Sequence, residues 1–496
     1  MKNLLMGIDI GTSACKVAVF DENGNVIANA NRPYAVYYPQ SGWAEQDADE
    51  WWNAICLAIQ DVLSCPEVDA ASVACIGVDG QSWSAIPVDK AGNALARTPI
   101  WMDTRARHIC EREKSRLGEN TIFNVAGNDF LPSYSAPKMI WFRENYPEIH
   151  SAVYKYMQSN SYIVCKLTGV FSQDKSQLYG IHFYDLHKME YNTALASELG
   201  LSPELIPDIY DCSSVVGKVS AAAARLTGLA EGTPVVAGGL DAACGTLGAG
   251  VYKPGQTQEQ GGQAGGMSIC TEKALAHKSL ILSPHVVSGM YLLQGGTVGG
   301  GGTLKWFRQE LGKGMSFDEI TAEAENIPAG SEGVVFLPYM AGERSPIWNP
   351  DAKGVFYGLG FDKTRGHMIR ALLEGVAFAL EHNLRVAAEI GAEVDTLNAM
   401  GGASNSRLWT QIKADVTGKV INVPMSDTAT TLGAAILAGV GCGIYSSCGE
   451  AVEKTISITR THTPNMANHE KYKRSMELYL RLYDDLKSTF SQYSEL

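Results

Sequence analysis

The chain has 496 residues, 45% of them hydrophobic and 19% charged, and 40 basic against 53 acidic side chains give a net charge of −13. A chain of this length is expected to form two or three domains, each able to bury a core. The negative charge argues against a protein that binds nucleic acid or an acidic membrane surface, because either would need a basic face.

Eleven cysteines are scattered singly along the chain, and no Cys-x-x-Cys pair occurs. Neither a zinc site nor a redox motif is therefore expected. Free thiols suit a reducing compartment, so we expect a cytoplasmic protein. We expect no membrane span, because no apolar run reaches roughly 18 residues. The oligomeric state is left open, with a homodimer among the options.

The first 80 residues predict the start of an α/β domain. Three apolar runs predict an antiparallel meander: 4–10, 16–20 and 26–30. The pair Asn23-Gly24 is a strong hairpin signal between the second and third strands. Residues 47–63 predict a helix capped by Asp47, and 72–80 predict a further strand. A meander followed by a helix and a strand is typical of α/β domains.

The segment 233–250 repeats the opening pattern weakly, as an apolar strand followed by a Gly-Asp turn and small residues. We interpret it as the opening of a second domain with a related core, and we expect a cleft between the two domains. The boundary is placed near 230–245, with residues 1–240 in the N-terminal domain and 241–496 in the C-terminal domain. Coincidence is the alternative, because short apolar strands that end in glycine are common.

Later segments also have clear local patterns. They are a glycine-rich run before a helix at 295–302, a long helix at 365–390, a strand with a Gly-Gly turn and helix entry at 397–406, a small-residue helix at 429–443 and a polar helical tail at 464–496. None of them predicts a further domain.

The turn after the first strand has the composition of a phosphate-binding loop. Phosphate sites need backbone N–H groups that a ligand can approach closely, hence glycine, together with short hydroxyl side chains. Gly11, Thr12 and Ser13 supply both, and Asp9 at the strand end is placed to hold Mg²⁺ through water. A plain hairpin turn is an equally good interpretation of these residues alone. No Walker-type phosphate loop occurs in the chain.

Asp241, which follows the residues Gly-Gly-Leu, is a candidate general base. Phosphoryl transfer to a hydroxyl needs a carboxylate that orients the hydroxyl and accepts its proton. As an isolated residue, however, Asp241 is better interpreted as a helix N-cap.

Two glycine-rich segments are candidates for nucleotide contacts. Gly401 and Gly402 lie between an apolar strand and a helix entry, where a flat base can approach the backbone and Asn405 can bond to its edge. A plain strand–helix turn is the better interpretation of this pair when it is considered alone. The run at 299–302 offers either a phosphate contact or a flexible hinge.

Two polar segments that contain tryptophan have the composition of a sugar site. They are Gln81-Ser82-Trp83-Ser84 and Trp101-x-Asp103-x-Arg105. Polar groups beside an indole supply hydrogen bonds to hydroxyls and a flat face for C–H groups. The alternative for both tryptophans is core packing, which is the commoner fate of this residue.

In this order, the motifs resemble those of the FGGY carbohydrate kinases, and most closely the members that phosphorylate xylulose. The resemblance covers about residues 1–440. It is carried by the segments GIDIGTSACKVAVFDENGNVIA, SGWAEQDADEWW, SYSAPKMIWFREN, GVFYGLGFDKTRGHMIRALLEG, FLPYMAGERSPIWNP and MGGASNSRLWTQIKADVTGKVI. It implies an α/β fold in which two ribonuclease-H-like domains, of the actin/hexokinase ATPase type, flank a mobile cleft.

The resemblance also implies roles for individual residues. Asp241 would be the catalytic base and contact the acceptor, and Asp9 would serve the metal. ATP would be held by Gly11, Thr12, Ser13, Lys16, Gly262, Gln263, Gly301, Gly401, Gly402 and Asn405. The acceptor would be held, directly or through a supporting residue, by Gln81, Ser82, Trp83, Asp103 and Arg105.

The implied reaction transfers the γ-phosphoryl group of ATP, with Mg²⁺, to a hydroxyl of a small ketose, and D-xylulose is the first candidate. Ser82-Trp83 departs from the Met-His pair that contacts the sugar in xylulose-phosphorylating members, so ribulose, a lyxulose-type ketose and erythritol stay open. Gln263 stands where many members have a phosphate-contacting threonine.

Two interpretations outside the kinases stay open. One is a non-catalytic regulator that binds sugar or nucleotide, and the presence of both Asp9 and Asp241 argues against it. The other is an actin- or chaperone-like ATPase, which would leave the carbohydrate-kinase motifs unexplained.

Overall fold

The computed structural model describes residues 3–425 and 428–492. Within these residues, two seven-stranded sheets carry the fold. The first sheet has the order Val215–Lys218, Pro234–Val236, Val73–Gly80, Leu4–Ile10, Ala14–Phe20 and Val26–Pro33, with Gly239–Leu240 also paired to Val73–Gly80. The second has the order Ile281–Pro284, Tyr291–Thr297, Gly265–Thr271, Gly255–Gly261, Val394–Met400, Val420–Pro424 and Ile458–His462.

Helices and short strands complete the described residues. The α-helices are Ala48–Leu63, Arg107–Leu117, Glu119–Ala126, Ser135–Asn145, Pro147–Ala152, Ser159–Thr168, Thr193–Glu198, Ala221–Thr227, Asp241–Gly248, Gly301–Glu310, Phe317–Glu325, Arg365–Glu389, Arg407–Thr417, Ala429–Gly441, Cys448–Thr455 and Met466–Gln492. The short strands are Glu45–Gln46, Ile86–Val88, Thr98–Pro99, Lys155–Met157, Ser172–Asp174, Tyr184–Asp185, Glu190–Tyr191, Asp208–Tyr210, Val335–Leu337 and Val355–Tyr357.

Both sheets share the same core order. In the first, a three-stranded antiparallel meander is continued, on the other side of Leu4–Ile10, by two parallel strands. In the second, Gly255–Gly261 takes the central place, antiparallel to Gly265–Thr271 and parallel to Val394–Met400. The expected α/β fold with two ribonuclease-H-like domains is therefore confirmed.

The meander predicted at the start of the chain is confirmed, and its first strand, Leu4–Ile10, is buried on both faces. Ile8 belongs to the core cluster that contains Trp51 of the first helix. On the opposite face, a Cβ atom at Gly7 would lie 1.9 Å from the carbonyl oxygen of Thr431. The helix Ala429–Gly441 thus packs directly on the backbone of the first sheet, which requires glycine at this position.

The repeat interpreted at 233–250 is wrong. Pro234–Val236 pairs in parallel with Val73–Gly80 and therefore belongs to the first sheet. The strand that corresponds to the opening of the chain is Gly255–Gly261, whose sequence is GQTQEQG. An apolar pattern could not find this strand because its glutamines face a cleft. The domain boundary between residues 240 and 241 stays a prediction.

The long helix predicted at 365–390 is confirmed, and the tail is helical as expected. The tail is amphipathic as well as polar, because Tyr472, Met476 and Tyr479 bury one side of it in the core of the second half. No helix among the described residues is long and apolar enough to cross a membrane.

One hydrophobic cluster runs through both halves of the molecule. It contains Leu5 and Phe20 of the first sheet together with Leu282 and Leu292 of the second. Asn128 also exchanges two hydrogen bonds with the backbone of Leu282, donating to the carbonyl at 2.8 Å and accepting from the N–H at 3.0 Å. The two halves are thus joined along one side.

Candidate active site

A cleft of about 1390 Å³ lies between the two sheets. Residues predicted for the site line it from both halves of the chain: Lys16, Asp241, Gly262, Gly401, Gly402 and Asn405. Gln258 and Gln260 of the second sheet and Thr430 of the helix Ala429–Gly441 line it too. The sequence motifs that were separate along the chain therefore meet in one place.

Asp9 lies at the end of the central strand of the first sheet, with its side chain 4% exposed. Its Oδ2 atom accepts hydrogen bonds from Nζ of Lys16 at 3.0 Å and from the hydroxyl of Thr430 at 3.1 Å. The Lys16 side chain is 54% exposed, and the charge of Asp9 raises its pKa. The pair places one fixed carboxylate and one accessible ammonium group at the cleft.

Asp79 is a site residue that the sequence reasoning missed. It lies directly beside Asp9 in the parallel register of the first sheet. Neither of its buried carboxylate oxygens has a hydrogen-bond partner among the described residues. Burial, and then the charges of Asp9 and Asp241, raise its pKa well above the usual value. The sequence did contain a signal for Asp79. The strand that ends in VDG at 78–80 carries an Asp next to its last residue, as the strand that ends in IDI at 8–10 does.

Asp241 is the first residue of the helix Asp241–Gly248, and Leu240 takes the N-cap position that was the alternative for it. Its Oδ1 atom accepts a hydrogen bond of 2.6 Å from the N–H of Ala242. Burial and the charge of Asp9 raise the pKa of Asp241 to about 7, although the Ala242 N–H and Lys16 oppose the rise. A carboxylate with this pKa is able to accept a proton near neutral pH.

The first hairpin turn is held by neighbouring aromatic side chains. The hydroxyl of Tyr34 donates to the carbonyl of Gly11 at 2.5 Å, and Nε1 of Trp101 donates to the hydroxyl of Thr12 at 3.0 Å. Ser13 is exposed at the tip of the turn. The turn is therefore fixed in shape while its tip stays open to a ligand.

A second glycine-rich turn, at the equivalent place in the second sheet, contacts a helix N-terminus. The N–H of Gly301 donates to the carbonyl of Gly262 at 2.7 Å, and the N–H of Gly302 donates to that of Gln263 at 2.9 Å. A Cβ atom at Gly302 would lie 2.1 Å from Nε2 of Gln263, so the amide lies across the start of the helix. The structure thus brings Gly262, Gln263 and Gly301 together.

The far end of the cleft is built from the turn after Val394–Met400. Gly401 has a φ of 84°, and a Cβ atom there would lie 2.8 Å from the carbonyl oxygen of Gly261. Nothing lies within 4 Å of a Cβ atom placed at Gly402. Arg460, which sequence reasoning missed, lines this end and donates to the carbonyl of Ser404. The open backbone at 401–402 leaves room for a flat ring.

Of the residues predicted to hold the acceptor, Gln81 is fully buried and donates to Oε1 of Gln46 at 2.6 Å. Trp83 is partly exposed, has a φ of 62° and packs its ring 4.2 Å from that of Tyr134 and 5.6 Å from that of Tyr179. Its buried Nε1 atom has no hydrogen-bond partner in the described part of the chain. Ser82 is partly exposed beside it.

Of the residues predicted to hold the acceptor, only Asp241 lines the cleft, and Gln81, Ser82, Trp83, Asp103 and Arg105 do not. The Arg105 side chain is 2% exposed and pairs with Asp103 at 2.8 Å and with Glu45 at 2.8 Å. Its guanidinium stacks over the ring of Trp43 at 3.8 Å, and Asp103 also accepts from the N–H of Ala44 at 2.7 Å. All these partners are protein groups, so Asp103 and Arg105 hold the surrounding loops together.

Lys138 is a third residue that the sequence reasoning did not assign to the site. It is completely buried, and its Nζ atom donates to the carbonyls of Trp83 at 2.8 Å, Ile100 at 2.8 Å and Ser133 at 2.5 Å. Burial lowers the pKa of Lys138 to about 7. The charge of Asp103 opposes this shift. Only the charged ammonium group can donate all three hydrogen bonds. Lys138 thereby ties together three loops of the acceptor side.

The residues of the cleft fit a magnesium ion held mainly by phosphate and water. Mg²⁺ is commonly bound through one or two carboxylates together with substrate phosphates. Asp9 is one such carboxylate, and the unpartnered oxygens of Asp79 lie beside it. Within residues 3–425 and 428–492, no group of three or more His, Cys, Asp or Glu side chains is arranged to hold a metal.

Comparisons with known proteins agree with this geometry. Residues 4–248 match the N-terminal domain of the FGGY family of carbohydrate kinases, and residues 267–442 match its C-terminal domain. The chain is 29% identical over 485 residues to a xylulose kinase of Bacillus subtilis, covering 97% of both chains. It is 27% identical over 504 residues to a gluconokinase of Bacillus licheniformis, covering 99% of this chain and 98% of the other. The crystal structure of a xylulose kinase from Rhodospirillum rubrum superposes with a TM-score of 0.90 at 28% identity, covering 98% of this chain and 100% of that one.

Proposed function

The chain belongs to the FGGY family of carbohydrate kinases and is a sugar phosphotransferase, and from this premise we propose that it transfers the γ-phosphoryl group of ATP to a hydroxyl of a small ketose. D-xylulose is the leading acceptor. The observation that supports this most strongly is Asp241, a partly exposed carboxylate at the cleft whose pKa is raised to about 7.

In this proposal Asp241 accepts the proton of the attacking hydroxyl. The hydroxyl oxygen forms a bond to the γ-phosphorus, the bond to the β,γ-bridging oxygen breaks, and ADP leaves. Asp241 is half-buried and close to the charge of Asp9, and both effects raise its pKa. A raised pKa suits a general base that works near neutral pH. Closure of the two halves would exclude water, which otherwise would take the phosphoryl group.

We assign the phosphates to the two hairpin turns and the adjoining helix start. The first group comprises Gly11, Thr12, Ser13 and Lys16, and the second comprises Gly262, Gln263 and Gly301. The amide of Gln263 would donate where a threonine hydroxyl is usual in the family. Adenosine is assigned to Gly401, Gly402 and Asn405, whose open backbone supports the binding of a flat ring.

We assign Mg²⁺ to Asp9, through water, together with the phosphates. When bound, the ion would neutralise charge on the β- and γ-phosphates. Asp9 is already oriented by Lys16 and Thr430 at 3.0 and 3.1 Å. Lys16 is therefore positioned to exchange its contact with the carboxylate for a phosphate oxygen.

We assign the acceptor to the loop that contains Gln81, Ser82 and Trp83, which follows the strand Val73–Gly80 and lies outside the lining of the cleft. Asp103 and Arg105 are proposed to support that loop, because both are buried and paired with protein groups. D-xylulose is favoured by the number of xylulose kinases among the relatives. Another pentulose, such as ribulose or a lyxulose-type ketose, erythritol and gluconate are the alternatives, the last because of the gluconokinase relative. A cytoplasmic location and a homodimer stay predictions.

The test is a coupled assay of ADP release with a panel of pentuloses, hexuloses, polyols and sugar acids. We expect ADP release that depends on the acceptor, with the highest kcat/KM for a pentulose. ATP turnover that is equal with and without every acceptor would refute the proposal. A higher kcat/KM for gluconate than for any ketose would replace D-xylulose as the acceptor and leave the kinase assignment intact.

A further inference from the structure

Arg344 lies over the second sheet, on the face of the sheet that carries Gln260, and it has no role so far. Gln260 lines the cleft and pairs across the sheet with Gly266, which pairs in turn with Gly296. Neighbouring strands are about 4.8 Å apart, so Gly296 lies roughly 10 Å from Gln260 along this row. The guanidinium of Arg344 lies over Gly296, where a Cβ atom would be 3.1 Å from its Cζ atom.

The orientation of the strand Tyr291–Thr297 shows which way this row faces. Leu292 belongs to the cluster shared with the first half, whereas a Cβ atom at Gly295 would strike Oδ1 of Asn383 in the helix Arg365–Glu389 at 2.2 Å. Side chains alternate along a strand. Gln294 and Gly296 therefore face the first half of the molecule, as Leu292 does.

The turn that carries Arg344 is fixed to the end of this strand. The N–H of Ser345 donates to the carbonyl of Gly296 at 3.0 Å, and Oε1 of Glu343 accepts from the N–H of Val298 at 2.6 Å. The amide of Asn383 donates to the carbonyl of Ser345 at 3.1 Å. The arginine backbone is thus held from three directions, which fixes where the side chain starts.

The guanidinium itself has few protein partners. Its one hydrogen bond in the described part of the chain goes from Nη2 to the carbonyl of Thr297 at 3.4 Å, and no carboxylate of that part forms a salt bridge with it. Oε1 of Glu343 accepts from backbone N–H groups, including that of Arg344 at 2.7 Å, while its Oε2 atom is buried without a partner among the described residues. Burial lowers the pKa of Arg344, and the charge of Glu343 opposes that shift. Two residues before Gly296, on the same face of the strand, Nε2 of Gln294 is buried without a partner in the described part of the chain.

Gly266 and Gly296 leave the sheet bare beneath Arg344, whose guanidinium forms no salt bridge within the described residues, and Gln294 adds an unpartnered amide donor. These groups form a site that offers hydrogen-bond donors, with Glu343 as its neighbouring carboxylate. Guanidinium groups bind carboxylate and phosphoryl oxygens in a bidentate way. We propose that Arg344 binds an oxyanion in the cleft, supplied either by the carboxylate of a sugar-acid acceptor or by the phosphoryl group in transfer. This inference rests on the proposed kinase function.

Two variants and one control test it: Arg344→Gln, Arg344→Lys, and Arg481→Gln on the exposed face of the last helix, where the side chain is 80% exposed. Binding of ADP and of a non-hydrolysable ATP analogue is measured by calorimetry. Steady-state kinetics compare acceptors that differ only in a carboxylate, gluconate against sorbitol and xylonate against xylitol, together with D-xylulose.

If the oxyanion is the acceptor carboxylate, Arg344→Gln lowers kcat/KM for the acids by about 10- to 100-fold and leaves the neutral acceptors unchanged. If it is the phosphoryl group, the variant weakens the ATP analogue but not ADP and lowers kcat for every acceptor alike. Arg344→Lys, which keeps the charge, should show a smaller loss of the same kind, and Arg481→Gln should show none.

The proposal is overturned if folded Arg344→Gln binds its ligands and turns over as the parent does. It is also overturned if Arg344→Lys loses as much affinity for ADP as for the ATP analogue. The binding measurements by calorimetry do not require the protein to be active. A chain that phosphorylates no acceptor would refute the kinase function, while the comparison of ADP with the ATP analogue, and direct titration with gluconate, would still report on Arg344.

Discussion

The ammonium group of Lys138 donates a hydrogen bond of 2.8 Å to the carbonyl oxygen of Trp83, 55 residues earlier in the chain. Two further carbonyls, of Ile100 and Ser133, complete its three bonds. One buried side chain therefore sets the relative position of three loops, one of which contains the Gln81, Ser82 and Trp83 proposed to hold the acceptor.

We expect Lys138→Met to destabilise the first half by about 3 kcal/mol or more, because three buried carbonyls lose their donor. The KM for the acceptor should rise while the KM for ATP changes little. Urea unfolding and steady-state kinetics measure both. The control is Lys473→Met, at a side chain that is 48% exposed. A variant with the stability and acceptor KM of the parent would contradict this role.

Asp241→Asn should lower turnover by about 10²–10⁴, the usual cost of losing a general base. The amide keeps the size of the side chain but cannot accept the proton of the hydroxyl. Binding of ATP and of the acceptor, measured by calorimetry, should be largely retained. Asp485→Asn on the last helix, where the side chain is 65% exposed, is the matched control. Near-normal turnover in Asp241→Asn would remove Asp241 from the mechanism.

The pH profile of kcat/KM should have an acid limb near pH 7. Asp241 is a carboxyl group with a raised pKa of about 7, so it is protonated below that pH and cannot act as a base. Activity should fall by about tenfold per pH unit below the limb and level off above it. Because the charge of Lys16 lowers the pKa of Asp241, Lys16→Met should move the limb to higher pH. A flat profile between pH 6 and 8 would contradict this assignment.

Trp83→His should change the ranking of acceptors. An indole N–H only donates a hydrogen bond, whereas a histidine ring can donate or accept. Trp83 has a left-handed φ of 62°, and its Nε1 atom has no partner among the described residues. Both features are unusual, and they lie in the loop assigned to the acceptor. The measurement is kcat/KM for D-xylulose, D-ribulose, L-xylulose and erythritol, with Tyr38→His as a surface control. The same ranking in parent and variant would mean that Trp83 only packs against Tyr134 and Tyr179.

An acceptor and a non-hydrolysable ATP analogue together should make the molecule more compact in solution scattering. The proposed ATP contacts come from Lys16 of the first sheet and from Gly401 and Asn405 after a strand of the second, so ATP bridges the cleft in this assignment. Either ligand alone should give a smaller change. Unchanged dimensions, with calorimetry showing both ligands bound, would argue against closure.

Much of the fold follows from local patterns. The apolar run at 4–10, the turn at Asn23-Gly24 and the cap at Asp47 act on neighbouring residues, and each is present in the structure. In the second sheet, a strand near residue 397 was predicted, but the strand that opens this sheet could not be found in this way. Its central strand, Gly255–Gly261, is polar because it faces the cleft, and the apolar Pro234–Val236 pairs with the first sheet instead.

The sequence by itself determined the family, the first hairpin and six of the residues that line the cleft, because these depend on short motifs in a fixed order. Only the tertiary structure decided that Asp79 lies beside Asp9, that Lys138 holds Trp83, and that Arg105 is turned away from the cleft. Each of these depends on strand register or on contacts between residues far apart in the chain. Such contacts are set by the packing of the whole molecule, and no short segment encodes them.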